Sequence, residues 1–459
     1  MKKAVIFCAG SLGQRLFEKL SLIFNIIAYC DNNQSVWGSN INGVPIISTE
    51  ELSAYEECSI IICNTKITQE LINQIYKIGF KDILISQDGI VYNIEKGLML
   101  PFKNSLQSYK KNGEKLSVLF VQDSPCIRTK RMAKLLKSNG CFAALAYTVN
   151  IQKPYDDCFD ETYPIYSYSD LIEFVNNSDF DVVHSSNEPD NLTNILLATN
   201  KKIIHDTHDM MSIRSVVEYN EMTLEYIANT KSAGLMYTTE AIRDIAIKKF
   251  SINSSKTFAI ENMLFEEIGI TNKFPKLSQQ DSEIHCVYEG GISDNSKHIR
   301  FFELQWKKIT NAGIHIHFYS HQNIDYCKRL DNESDYLHYE GNISDTFQLI
   351  NEMTKYDIGL LILESDIFGN QNVKLTSANK LFEYLNAGLP VAVDGIGAYS
   401  NTAIEHNVGM TIDFNEDLYP QFEKLKQIVV PDNFISDNKF TIESRTQEIL
   451  DFYRKIANS

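Results

Sequence analysis

The chain has 459 residues, 44% of them hydrophobic and 11% aromatic, with a formal net charge of -16 at pH 7. That length suggests about three domains of ordinary size, and the apolar content excludes a disordered chain. The acidic balance argues against nucleic acid as a partner, yet it leaves room for one small basic site for a diphosphate, or for a local basic patch at a membrane.

Residues 1 to about 90 repeat one rhythm of apolar run, polar turn and amphipathic stretch. Strands are predicted at Ala4–Cys8, Ile26–Cys30, Ser59–Cys63 and Ile83–Ser86, with helices over Leu12–Leu20 and Thr68–Ile78. Such alternation points to a parallel sheet with crossover helices. Residues 91–115, with Lys103, Lys110, Lys111, Asn112, Gly113 and Lys115, break the rhythm and read as a connection.

The rhythm resumes with strands at Leu116–Val121, Asp181–His184, Lys202–His205 and Leu235–Thr238. Pro275, Ser278, Gln279, Gln280 and Asp281 interrupt it near 273–283. Strands return at Ile284–Tyr288, Ile314–Phe318, Leu337–Tyr339, Asp357–Ile362 and Val391–Asp394, and an amphipathic stretch, Thr441–Ile456, closes the chain. The expected fold class is α/β, with three Rossmann-like domains in a row. The expected division is 1–90, a linker over 91–115, 116–270, 271–430, and a final helix over 431–459 returning to the domain of 116–270.

Nine cysteines with no regular spacing and no CxxC pair read as reduced thiols. The apolar run after Lys3 is too short for a secretory segment, and nothing approaches the ~18 apolar residues of a membrane span. These readings place the protein in the cytoplasm; attachment to the inner face of the membrane and a homo-oligomer both stay open.

The most informative segment runs from Asn379 through Lys380, Leu381, Phe382, Glu383, Tyr384, Leu385, Asn386, Ala387, Gly388, Leu389 and Pro390 to Val393. It reads as a helix stopped at Gly388, a turn, then a buried strand. Leu381, Phe382 and Leu385 face the core. Glu383 suits a ribose diol, because a carboxylate accepts two hydrogen bonds from it. It reads equally as a capping or solvated glutamate.

This segment resembles the lysine–two residues–glutamate–tyrosine–leucine stretch, followed by alanine-glycine-x-proline-valine, of glycosyltransferase family four, whose fold is GT-B. The resemblance covers roughly residues 116–459. It implies that the last two domains form a GT-B pair and that a nucleotide diphosphate sugar is the donor. It also implies a reaction that retains configuration and needs no cofactor or metal. Tyr288-Glu289-Gly290-Gly291 and Lys297, six residues on, match the family's diphosphate-holding turn. Glycine admits backbone N–H groups to the phosphates, and lysine meets the departing charge.

Gly341 and Asn342, in Tyr339-Glu340-Gly341-Asn342-Ile343, match the segment lying against the base; Tyr356–Ile362 matches the following strand. The match is incomplete. Leu375 stands where many members have an earlier glutamate, and Ile292 where an arginine often follows the glycine. Lys374, Asn379 and Lys380 are candidate substitutes, with the polar loop Gly369–Ser377 and its Asn372.

In the middle region, Lys201–Asp209 reads as a strand ending in polar groups. By resemblance His208 faces the reacting sugar and Asp209 orients it, while His205 and Asp206 read as strand-end residues. Asn187 or Glu188 after Asp181–His184 and the loop Gln122-Asp123-Ser124 with Arg128 are further cleft candidates, while Glu240 matches a place where the family often keeps serine or threonine at a small helix start, its role open.

Near the N-terminus, Cys8-Ala9-Gly10-Ser11-Leu12-Gly13 is a dinucleotide fingerprint whose first glycine is Cys8, with Asp31 placed as a ribose-binding acid. Gly10, Ser11, Gly13 and Asp31 are thus candidates for a nucleotide site; a scaffold or an oligomerisation domain reads as well. Tyr29–Ile47 resembles the small Rossmann-like domains of bacterial sugar-modifying enzymes.

The acceptor implied is a glycan, a lipid-linked or a protein hydroxyl, in bacterial glycan or glycoconjugate synthesis. A nucleotide-sugar epimerase of similar fold and a non-catalytic partner in polysaccharide assembly are the alternatives.

Overall fold

The structure is a computed structural model and describes residues 1–64, 66–87, 90–94, 99–101, 107–113, 115–147, 157–165, 168–186, 190–214, 218–270, 273–363, 371–375 and 377–459. It is α/β, with three sheets dominated by parallel strands. It forms two compact units, one of Met1–Ser185 with Ile195–Ile203, the other of Ser186–Asn194 with Ile204–Ser459. No described helix is long and apolar enough to cross a membrane.

The first unit opens with β1 (Lys2–Phe7), β2 (Phe24–Cys30), β3 (Asn40–Ile41), β4 (Val44–Ile47), β5 (Ser59–Ile62), β6 (Ile83–Gln87), β7 (Ile90–Asn93) and β8 (Met99–Pro101), in the order β3-β4-β2-β1-β5-β6-β7-β8. The four predicted strands and both helices are present, the helices as Ser11–Ser21 and Gln69–Ile78. The sequence reading ended this sheet near residue 90. The sheet instead takes β7 and β8, antiparallel, from the stretch read as a connection. Their alternation is too short to rise above the polar residues around them. Alternate residues of β1 bury on opposite faces, Ala4 and Ile6 in one core, Val5 and Phe7 in the other.

The same unit holds β9 (Ser117–Gln122), β10 (Phe142–Tyr147), β11 (Glu161–Pro164) and β12 (Val182–Ser186), in the order β11-β10-β9-β12. β10 and β11 were not predicted. In the second unit β13 (Lys202–Thr207), β14 (Gly234–Tyr237) and β15 (Thr257–Ala259) run in order.

The last sheet contains β16 (Ile284–Glu289), β17 (Ile314–Tyr319), β18 (Leu337–Tyr339), β19 (Ile358–Leu361), β20 (Val391–Val393) and β21 (Gly409–Thr411), in the order β18-β17-β16-β19-β20-β21. All its pairs are parallel. Ile284, Cys286 and Tyr288 pack one face with Phe302, Trp306 and Phe318. The strand order reverses between β16 and β19, and ligands of such sheets bind beyond the carboxyl ends at that point.

The closing helix is Thr446–Ala457, shorter than the predicted Thr441–Ile456, because Thr441 pairs with Leu264 instead. Phe452 stacks on Phe258 at 5.3 Å, and a Cβ at Gly234 would lie 2.8 Å from Ile456, so the helix lies against β14 and β15.

Within the first unit one buried ion pair, Lys19–Asp170, joins helix Ser11–Ser21 to helix Tyr168–Asn177. Lys19 and Asp170 are 4% and 5% exposed, so removing either leaves the other charge buried without its ion partner. Lys19→Met should cost about 3–5 kcal/mol in chemical denaturation, and Lys19→Met with Asp170→Leu should recover most of it. A single-variant loss below about 1 kcal/mol, the scale of an exposed pair, would show that the pair is solvated.

Candidate functional site

The candidate donor residues lie in the second unit. Helix Asn379–Asn386 has the predicted form. Gly388 stands at φ 74, Leu389 N–H donates to the Tyr384 carbonyl and Gly388 N–H to that of Leu385. That is a Schellman ending, which needs a residue free to adopt the left-handed conformation. Leu381, Phe382 and Leu385 are buried, as expected from the helical spacing.

Tyr384 is also fully buried, and burial pushes its phenol pKa up, so it remains a donor. Its hydroxyl donates to the Leu360 carbonyl at 3.2 Å and accepts from the Glu289 N–H at 3.2 Å. Its ring fills the space a side chain at Gly359 would need, a Cβ there falling 2.4 Å from Cγ. The helix is thereby locked to β19 and to the carboxyl end of β16.

Directly beyond β16, Gly290 stands at φ 122, a conformation open to glycine. A Cβ at Gly290 would lie 2.7 Å from the Lys380 Nζ, and one at Gly291 2.7 Å from an Arg300 Nη. Lys380 also lies over the Tyr288 ring, 5.4 Å from its centre. Burial alone would lower the Lys380 pKa, but the neighbouring Tyr288 and Glu289 outweigh it and hold the group above its ordinary value, as a cation. Among the described residues neither Lys380 nor Arg300 forms an ion pair. Two cations, with Gln322 Oε1 beside Gly291, lie against a side-chain-free turn at the switch point of the sheet, an arrangement suited to an anion.

Arg300 was not singled out in the sequence. Ile292, at the position where the family often has arginine, is buried in the core at 2% exposure, and Arg300 reaches Gly291 from further along the loop. No spacing rule would have found it.

Lys297 is exposed, its backbone N–H held by Asn295 Oδ1 at 3.0 Å. Glu383 is buried at 7% exposure, in the second turn of its helix. Asn379 Oδ1 is buried with no hydrogen-bond partner among the described residues, an acceptor left for a ligand or water. Gly341 stands at φ 85, its carbonyl accepting from Ser320 N–H at 2.9 Å, and Asn342 is exposed beside it. Lys374 is half-buried in the short helix Gln371–Leu375. Of the polar loop Gly369–Ser377, residues 369, 370 and 376 lie outside the described residues, as do Asn187 and Glu188.

The polar end of β13 meets this region. Asn372 is 3% exposed; its Nδ2 donates to Asp209 at 2.5 Å and its Oδ1 accepts the Met210 N–H at 2.9 Å. Arg214 holds the other Asp209 oxygen at 2.8 Å. Thr239 Oγ1 donates to the Leu375 carbonyl at 2.7 Å and caps the helix beginning at Glu240, which is exposed. The structure therefore brings His208 and Asp209 beside the segment that leads into the Lys380–Glu383 helix. The His208 Nε2 lies 3.3 Å from the buried Asp206 carboxylate, which orients the ring. His205 is fully buried, its Nδ1 3.0 Å from Thr193 Oγ1, as befits a core histidine.

In the first unit, Cys8 adopts φ 81 at the first glycine position of the fingerprint. Gly13 is required for close packing, since a Cβ would fall 2.3 Å from the Cys8 carbonyl oxygen. Gly10 caps helix Ser11–Ser21 without a side chain. The Asp31 carboxylate accepts from Ala9 N–H at 2.7 Å and Asn33 N–H at 2.8 Å, so it organises the loop of its own fold. Gln122 Oε1 is held by Cys126 N–H and Thr129, and Arg128 is buried in the helix that follows.

Comparison with known proteins gives three results. Residues 1–85 match the family described as C2185-like, N-terminal. No curated protein matches the chain. Among solved structures, a glycosyltransferase from Rickettsia africae ESF-5 superposes with a TM-score of 0.55 at 13% identity, over 75% of this chain and 99% of that one. Anabaena Alr3699/HepE, in complex with UDP-glucose, gives 0.48 at 13% identity over 75% and 98%. UDP-GlcNAc 2-epimerase from Methanocaldococcus jannaschii gives 0.48 at 11% identity over 74% and 100%. The Rickettsia likeness shows the fold: over about 75% of its length this chain has the GT-B fold, built from Rossmann-like α/β domains.

Asn372 is the residue whose loss the joined segments should feel most. Asn372→Ala leaves the fully buried Met210 N–H without its acceptor, which should cost about 1–3 kcal/mol in chemical denaturation. Unchanged stability would mean that the contact does not persist in solution.

Proposed function

We propose that this protein is a glycosyltransferase that moves a sugar from a nucleotide diphosphate sugar to an acceptor hydroxyl. The observation that carries the proposal is the turn Gly290–Gly291, flanked by Lys380 and Arg300, which form no ion pair among the described residues, at the switch point of the last sheet. In this reading the turn's amides and Lys380, Arg300 and Lys297 meet the charge of the leaving diphosphate. Glu383 takes the ribose diol, and Gly341–Asn342 lies along the base. Asn379 and Lys374 add polar contacts to the donor. His208, steadied by Asp206, faces the transferred sugar, and Asp209 keeps that turn in place through Asn372 and Arg214. The division into domains near 90, 116, 271 and 431 belongs to the same reading. So do retention of configuration, independence of metal, and an acceptor drawn from glycans, lipid-linked sugars or proteins. A location at the inner face of the membrane and a nucleotide on Gly10–Gly13 and Asp31 are its most distant extensions.

Glu383→Ala should weaken binding of the preferred nucleoside diphosphate roughly tenfold by calorimetry, the loss of a charge-assisted hydrogen bond or two. Unaltered affinity removes Glu383 from the ribose. His208→Ala should lower transfer by about 10²-fold while donor affinity stays near wild type. Full transfer in that variant takes His208 out of the site, and sugar turnover without any acceptor points instead to epimerase chemistry.

A further inference from the structure

The amino ends of β16, β17 and β18 carry four histidines that the donor site does not use. His285 is the register partner of His315, and His317 that of His338. They lie on the sheet face opposite the Cys286 and Tyr288 core, at the other end of the strands from Gly290. Two hydrogen-bonded chains run through them. In one, Asp281 Oδ2 lies 3.0 Å from His285 Nε2, His285 Nδ1 2.9 Å from His317 Nε2, and His317 Nδ1 2.7 Å from Glu340 Oε1. In the other, Glu283 contacts His315 Nε2, and His315 Nδ1 lies 2.8 Å from His338 Nε2.

Counting protons shows that the first chain is one cation short. It has three contacts between four groups, yet two neutral imidazoles bring only two N–H donors. If His317 donates to Glu340 and His285 donates to His317, the His285 Nε2 lone pair faces the Asp281 carboxylate. The second chain, with two contacts, balances with two neutral imidazoles; in its other tautomer, with His315 Nδ1–H donated to His338, the His315 Nε2 lone pair also faces Glu283. In that tautomer two nitrogen lone pairs on β16 and β17 face two carboxylates from the segment before β16, and among the described residues neither carboxylate is paired with a lysine or arginine.

We propose that Asp281, Glu283, His285 and His315 bind one divalent transition-metal ion of the zinc type, as a structural staple at the foot of this sheet. Two imidazoles and two carboxylates are a ligand set that zinc takes in tetrahedral form. Ligand atoms of Asp281, His285 and His315 lie within 4.8 Å of one another. The His285 and His315 rings are nearly parallel, 4.5 Å apart, so a tilt of the rings and rotation of the carboxylates closes the set. The Asp281 and Glu283 side chains are 43% exposed and open to an arriving ion, and Asp281 Oδ1 accepts the Glu283 N–H at 2.9 Å, which leaves Oδ2 for the ion. Each ligand histidine already has its Nδ1 against an outer partner, His317 or His338, the arrangement by which metal-bound imidazoles are fixed in one tautomer.

The test is a calorimetric titration of the chelator-treated full-length protein with zinc chloride at neutral pH, with melting followed in parallel. One ion per chain and a raised melting temperature are expected. Asp281→Asn with Glu283→Gln, both at exposed positions that spare the fold, should abolish that binding, and so should His315→Ala. His317→Phe should weaken it roughly 10–100-fold, the usual effect of an outer partner. Cobalt(II) should give the visible absorption of a tetrahedral nitrogen–oxygen site. Absence of saturable one-to-one binding by the folded wild type overturns the proposal and leaves a proton as the missing cation. Wild-type affinity in the Asp281→Asn, Glu283→Gln variant also overturns it, since the ion would then sit elsewhere.

Discussion

The second unit is organised around Tyr384. Its ring occupies the space left by Gly359, and its hydroxyl is shared between the Leu360 carbonyl and the Glu289 N–H. These contacts tie one helix to both strands at the switch point of the sheet. Because the helix cannot slide or rotate, Lys380 is held against Gly290, and Glu383 one turn later keeps a fixed place. A long cation on a loose helix would find a carboxylate or water. Here the same charge is kept half-buried, beside a turn that has no side chains of its own.

A second consequence concerns the turn after β13. Its hydrogen bonds are only partly local: Arg214 holds one Asp209 oxygen, but Met210 N–H and the other Asp209 oxygen are satisfied by Asn372, from more than a hundred residues later. The histidine next to them is oriented locally, by Asp206. The short segment 371–375 therefore links the turn that follows β13 to the stretch that precedes the donor helix. Backbone polar groups buried at such a junction must be paired, and Asn372 pairs both a donor and an acceptor at once.

Much of this was legible in the sequence because it was local. The strand and helix alternation, the Gly388 stop and the apolar face of Leu381, Phe382 and Leu385 all follow from short-range pattern and backbone chemistry. What the sequence hid was long-range. Arg300 reaches Gly291 by a loop path that no spacing encodes, and Tyr384 reads as one more apolar helix residue until Gly359 is seen beneath it. β7 and β8 pair antiparallel within a stretch whose charge suggested a connection. The histidines sit far apart in sequence, and only strand register lines them up.

The central claim is that the Gly290–Gly291 turn, with Lys380 and Arg300, holds a diphosphate. The most direct measurement is a thermal-shift series on the intact protein against uridine, guanosine, cytidine and adenosine diphosphates and their sugars, repeated with Lys380→Met. A ligand bound only by the native state raises the melting temperature. The account predicts a clear rise with one base, lost in the variant. A rise that survives Lys380→Met unchanged, or none with any nucleotide, would contradict it.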